Sequence, residues 1–89
     1  MALTVWKFTL QADTTLQLPE NAEVLTVAAV RAEINLWARV DPEAPTEARR
    51  FVTIGTGHDL PDFPRDNYIG TSFIDGGRFV FHTFEVFNE

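Results

Sequence analysis

The stretch "INLWARV", residues 34–40, alternates without a break: Ile34, Leu36, Ala38 and Val40 share one parity, Asn35, Trp37 and Arg39 the other. Successive residues of an extended chain point to opposite faces, so a period of two makes a strand with one apolar side. The same period recurs along the chain. In "LTVWKFTL" the set Trp6, Phe8 and Leu10 opposes Val5, Lys7 and Thr9, and "TTLQL" puts Leu16 and Leu18 on one face. Only Gln11-Ala12-Asp13 separates these two runs, a spacing that predicts a hairpin between them.

Further runs follow the same logic. Pro19-Glu20-Asn21 reads as a turn, because proline fixes φ and asparagine tolerates unusual backbone angles. "EVLTVAAV" (residues 23–30) is β-branched and apolar on both parities, which predicts a central strand, and Arg31-Ala32-Glu33 makes a short connection to the next. Residues 41–48 form a loop held open by Pro42 and Pro45. A strand over residues 49–56 leads into a long loop, 57–67, and then into "YIGTSFI", residues 68–74. Asp75-Gly76-Gly77 is a hairpin signal, since these residues accept the positive φ that tight turns need. The last run, residues 78–87, is apolar on both parities, so it is either central or covered by another subunit. The sum is an all-β single domain over residues 1–89, with six to seven short, mainly antiparallel strands forming a sandwich or open barrel.

Size and charge narrow the function. A chain of 89 residues buries a small core and gains by oligomerising, so a homo-oligomer is expected. No cysteine is present, which removes disulfides and thiolate chemistry and favours a reducing cytoplasm. The N-terminal Met1-Ala2-Leu3-Thr4-Val5 lacks the basic start and long apolar run of a signal peptide, and no stretch approaches the about 20 apolar residues of a membrane-spanning helix. A net charge of −6, with Lys7 the one lysine, argues against general nucleic-acid binding, which draws on clustered cations.

The leading candidate site is Gly55-Thr56-Gly57-His58. Consecutive backbone N–H groups in a glycine turn can hold an anion without a lysine, helped by the Thr56 hydroxyl and the His58 ring. The competing account is a β-bulge or plain turn in which glycine supplies positive φ. Arg49 and Arg50 lie upstream, and guanidinium groups suit phosphates and carboxylates; pairing with Glu43 or Glu47 is the structural alternative. Trp37 and Tyr68 offer faces on which a base can stack, or large packing surfaces.

Catalytic and metal motifs are missing. His58 with Asp59 and Asp62 suggests a metal, but two histidines in the chain, the other being His82 in a strand, argue against a closed His/acid zinc site, and Asp59, Asp62 and Asp66 lack the spacing of a calcium loop. The one serine, Ser72, sits within a strand and outside any nucleophile elbow. No cofactor is implied and no enzyme is expected; a small hydrolase or isomerase using His58 and Asp59 is the weakest alternative.

The segments "VWKF", "LWARVDPEAPTEARRFVTIGTGHDLP", "YIGT" and "FVFHTFEV" resemble a family of small phage and bacterial proteins described as a domain of unknown function. The likeness runs from Val5 to Val86 and is most distinctive at residues 40–47 and at Gly55-Thr56-Gly57-His58. It implies a phage or prophage origin and a compact β fold. It implies no reaction. With that origin, the expected function is non-enzymatic binding: sequestration of a nucleotide-type anionic signal against host defence, in the host cytoplasm. The ligand-binding residues are then Trp37, Arg49, Arg50, Gly55, Thr56, Gly57, His58 and Tyr68. The alternative is a protein–protein module that inhibits a host protein or serves as a phage accessory subunit.

Overall fold

A computed structural model describes residues 2–87. These residues form seven strands: β1 (Thr4–Leu10), β2 (Asp13–Pro19), β3 (Glu23–Val30), β4 (Glu33–Val40), β5 (Thr46–Gly55), β6 (Arg65–Ile74) and β7 (Phe79–Phe87). One sheet has the order β1-β4-β3 and the other the order β2-β5-β7-β6. Every neighbouring pair is antiparallel. Among the described residues no helix is long and apolar enough to cross a membrane.

The apolar parity of residues 34–40 forms the core face of β4. Ile34, Leu36, Ala38 and Val40 are buried in the core between the sheets, joined by Val27 from β3, Leu18 from β2 and Phe51 from β5. On the other parity Arg39 is exposed and Trp37 half-buried, while Asn35 is buried as well, its Oδ1 accepting the Thr9 hydroxyl at 2.9 Å. The C-terminal run lies inside its sheet, between β5 and β6, as its two apolar parities allow.

Three expectations need correction. First, β1 and β2 make no hairpin; β1 pairs with β4 and β2 with β5. The Thr14 hydroxyl accepts the Gln11 N–H at 2.7 Å and the Ala12 carbonyl accepts the Thr53 N–H at 2.9 Å. These bonds turn the chain out of one sheet and into the other. Second, β3 is an edge strand of its sheet, and β4 is the central one. One parity of β3 is apolar because it enters the core, while Val30 on the other stays exposed. Third, the loops are shorter than read. β5 starts at Thr46 because Pro19 pairs with it, and β6 starts at Arg65 because Arg65–Asn67 pair with Phe87–Glu85.

The remaining 56–64 connection is long for a topological reason. β5 ends opposite Phe81, whereas β6 begins opposite Phe87 at the other end of β7. The chain therefore has to travel the length of the sheet before β6 can start. Elsewhere the turns are tight. Asn21 (φ 65°) carries the turn after β2, and Asp75, Gly76 and Gly77 (φ 57°, 66° and 91°) carry the β6–β7 hairpin, both as their residue types foretell. At Gly70 the two sheets come close enough that a Cβ would sit 3.1 Å from Val27 Cγ2.

Candidate functional site

Strand alternation separates Arg49 from Arg50. Arg49 shares the inward parity of Phe51; its Nε and NH2 donate to the two carboxylate oxygens of Glu85 at 2.7 and 2.9 Å, and its NH1 donates to the Ala22 carbonyl at 2.6 Å. Glu85 is 4% and Arg49 19% exposed, so this two-pronged pair is mostly withdrawn from water. Hydrogen bonding to Glu85 raises the Arg49 pKa, with burial opposing it. Arg50 faces outward and donates from Nε and NH2 to Asp13 at 2.9 and 2.6 Å. That bond holds the Asp13 carboxyl below its ordinary pKa and lifts Arg50 above its own. The partners are thus Glu85 and Asp13, in place of the Glu43 or Glu47 suggested by proximity in the chain.

Both arginines line a cleft of about 680 Å³, together with Arg65, Glu47, Asn21 and Phe87. The Arg65 guanidinium lies 4.5 Å from the centre of the Phe87 ring. Three of the chain's seven cationic side chains therefore meet at one end of the sheet, in a protein of net charge −6. The volume falls within the about 300–1,000 Å³ range of small-molecule sites. A guanidinium carries five N–H donors, and neither pairing uses all of them.

At the opposite end of the sheet, Gly55-Thr56-Gly57-His58 is a β-turn. The His58 N–H donates to the Gly55 carbonyl at 3.1 Å, and Gly57 takes φ 91°, a value that side chains resist. The Thr56 N–H donates to the Val80 carbonyl at 2.9 Å, extending the β5–β7 ladder. Two of the amides an anion nest would use are thus already engaged. The His58 ring packs against Gly55, where a Cβ would come within 3.3 Å of it, and lines a cleft of about 370 Å³ with Arg78, Phe79 and Phe81.

A family model described as "Domain of unknown function (DUF7352)" matches residues 1–89. The chain belongs to this family. No curated protein and no solved structure matches it.

In this DUF7352 chain a third group connects the others. The Thr56 hydroxyl lies 2.6 Å from His82 Nε2, the Thr71 hydroxyl 3.0 Å from His82 Nδ1, and the Tyr68 hydroxyl bonds to Thr71. Residues three apart on a regular strand face opposite sides. Tyr68 and Thr71 share a face because the β6 register shifts between Tyr68 and Gly70, inserting one extra residue. The bulge thereby places Tyr68 and Thr71 of β6 beside His82 of β7 and Thr56 of the turn after β5, on the outer face of the β2-β5-β7-β6 sheet, with Phe84 5.6 Å from Tyr68, centroid to centroid.

The eight sequence candidates therefore fall into separate places. Arg49 and Arg50 share the larger cleft; Gly55, Thr56 and His58 share the smaller one, and Gly57 forms the turn between them. Tyr68 reaches Thr56 through His82 and Thr71, and Trp37 stands on the other sheet, away from all of them. Sequence reading missed Arg65, Glu85 and Phe87 in the cleft and His82 in the network. One clue to Glu85 was available: a lone acid on the Phe81 parity of an apolar strand needs a cation opposite it. Among the described residues, no three His, Asp or Glu side chains cluster as metal ligands, and the Ser72 hydroxyl is buried without a hydrogen-bond partner.

Proposed function

We propose that this protein is a non-enzymatic binding protein that holds a small, nucleotide-type anion in the cleft lined by Arg49, Arg50 and Arg65. The observation that carries this reading is the convergence of three guanidinium groups on one cleft of an otherwise acidic chain. Phosphate oxygens take the donors that Glu85 and Asp13 leave, and Phe87 offers a ring beside them. Its binding surface lies at the opposite end of β5 from the glycine turn, where Arg49 and Arg50 act without the 55–58 amides. A phage or prophage setting, implied by the resemblance at residues 40–47 and 55–58, makes a signal of host defence the ligand class. Sequestration in the host cytoplasm is then the mode of action.

Thermal-shift titration against mono-, di- and cyclic dinucleotides tests this. Melting is expected to rise with ligand concentration by mass action. The rise should be lost in an Arg65→Ala variant that melts normally without ligand. No shift with any of these anions sinks the proposal. Turnover of the ligand would replace sequestration with catalysis.

A second reading has its own observation. On the outer face of the four-stranded sheet, Phe73 and Tyr68 are 62% and 58% exposed, next to Phe84 and the His82 network. Aromatic side chains around a polar centre are the chemistry of protein interfaces. Co-purification of a stoichiometric host protein, abolished by Phe73→Ser, would favour it over the anion reading.

A further inference from the structure

We infer that β1 is a dimerisation edge, along which a second copy of this chain pairs antiparallel to give a continuous six-stranded sheet. Among the described residues no strand lies beyond β1 in its sheet, so one row of its backbone N–H and C=O groups is left at the edge of the ladder. The other three edges carry features that discourage pairing. The β3 register is broken between Val24 and Thr26, the β6 register between Tyr68 and Gly70, and these two edges lie against each other at Val27 and Gly70. β2 ends in Pro19, which has no N–H to give, and carries Asp13 and Gln17 outward. β1 has an unbroken register from Thr4 to Leu10, contains no proline, and leaves Val5 52% exposed, with Leu3 and Trp6 also exposed.

Charge selects the same edge. Six strands contain an acid: Asp13, Glu23, Glu33, Glu47, Asp66 and Glu85 lie on β2 to β7 in turn, and β1 alone has none. Two copies of net charge −6 repel one another, and their approach is least opposed where neither presents a carboxylate. Lys7 sets the register. A two-fold axis through residue 7 would put ammonium opposite ammonium, which cross-strand pairs disfavour. An axis through Trp6 places Lys7 opposite Val5 of the second copy and Thr4 opposite Phe8 of the second copy. Both pairs keep inward and outward parities matched, as an isologous contact requires.

Sedimentation equilibrium on the full chain at about 100 µM, a concentration suited to micromolar association, reads the result directly. The wild type should approach 20.2 kDa, twice the 10.1 kDa chain. Val5→Glu, at an exposed position, should return it to 10.1 kDa without changing the melting temperature measured at low concentration. The chain has no cysteine, so single-cysteine variants report the register under mild oxidation. Trp6→Cys should form a disulfide-linked dimer and Lys7→Cys should not, because only residues at the axis bring their Cα atoms within about 7 Å. A wild type that stays at monomer mass overturns the inference, as does a dimer that survives Val5→Glu or equal cross-linking at both positions.

Discussion

Replacing Glu85 with alanine should be among the most damaging single changes available to this domain. The carboxylate is 4% exposed and accepts two short bonds from Arg49, whose side chain is 19% exposed. Removing one partner of a buried pair costs about 3–5 kcal/mol, because the other charge stays desolvated and unpaired. Arg49 keeps its bond to the Ala22 carbonyl and some contact with water, which places the loss near the lower bound, about 3 kcal/mol. At about 4–8 °C per kcal/mol for a chain of this length, melting should fall by roughly 12–24 °C. Replacing both partners with apolar residues of similar volume, Arg49→Met with Glu85→Leu, should restore most of that stability. Urea unfolding of the wild type, both single variants and the double variant at neutral pH gives the coupling as a double-mutant cycle. Raising salt should leave the Arg49–Glu85 coupling nearly unchanged, since a buried pair is weakly screened. A Glu85→Ala loss below about 1 kcal/mol, or a double variant as unstable as the two single losses added together, would refute the buried-pair account.

Three other outcomes follow from local geometry. Asp13 titrates below its ordinary value because Arg50 bonds to its charged form, so its contribution is present above about pH 4 and fades as pH falls through the lowered value. The stability gap between wild type and Asp13→Asn should accordingly exist at neutral pH and narrow steadily as pH falls below the ordinary carboxylate range; a gap that does not change with pH would show that ionisation is not its source. Arg31 holds φ 58° in the two-residue turn between Val30 and Glu33, a conformation that disfavours side chains by about 1–2 kcal/mol. Arg31→Gly regains part of this against about 0.5–1 kcal/mol of added chain entropy, so melting should rise by a few degrees, and a fall would contradict the turn geometry. Gly70→Ala drives a methyl to 3.1 Å from buried Val27, with an expected loss of about 1–3 kcal/mol. Val27→Ala should then be less damaging in that background than alone, and strict additivity in the calorimeter would deny the contact.

What the sequence disclosed and what it hid follow from the physics of the strand. Alternation tells which residues share a face, so the buried set 34, 36, 38 and 40 and the opposite orientations of Arg49 and Arg50 are legible in it. Alternation does not say which strand lies alongside. The β1–β4 and β2–β5 pairings join residues about 30 positions apart, and the short 11–12 connection imitates a hairpin while turning between sheets. The bulge that brings Tyr68 beside Thr71 leaves no mark in composition, because Ile69 and Gly70 are ordinary strand and loop residues. The glycine turn was legible as a turn; its hydrogen bonds to Gly55 and Val80 could be known only once β7 was placed beside β5.

The two sheets contribute unequally to the interior, and the inequality bears on function. The inward face of β4 is wholly aliphatic, whereas the opposing sheet turns Thr53, Thr83 and Glu85 inward along with Arg49. An apolar pair at positions 49 and 85 would stabilise the fold about as well as the ions do, so stability alone does not call for charge there. The proposed anion cleft does, because Arg49 lines it and Glu85 fixes the guanidinium plane that a phosphate would meet. The Arg49→Met, Glu85→Leu double variant therefore separates the two roles. It should fold and melt near the wild type, and lose the thermal shift with nucleotides that the wild type shows. If the double variant folds and still binds, the pair serves the core alone and the cleft must draw its charge from Arg50 and Arg65.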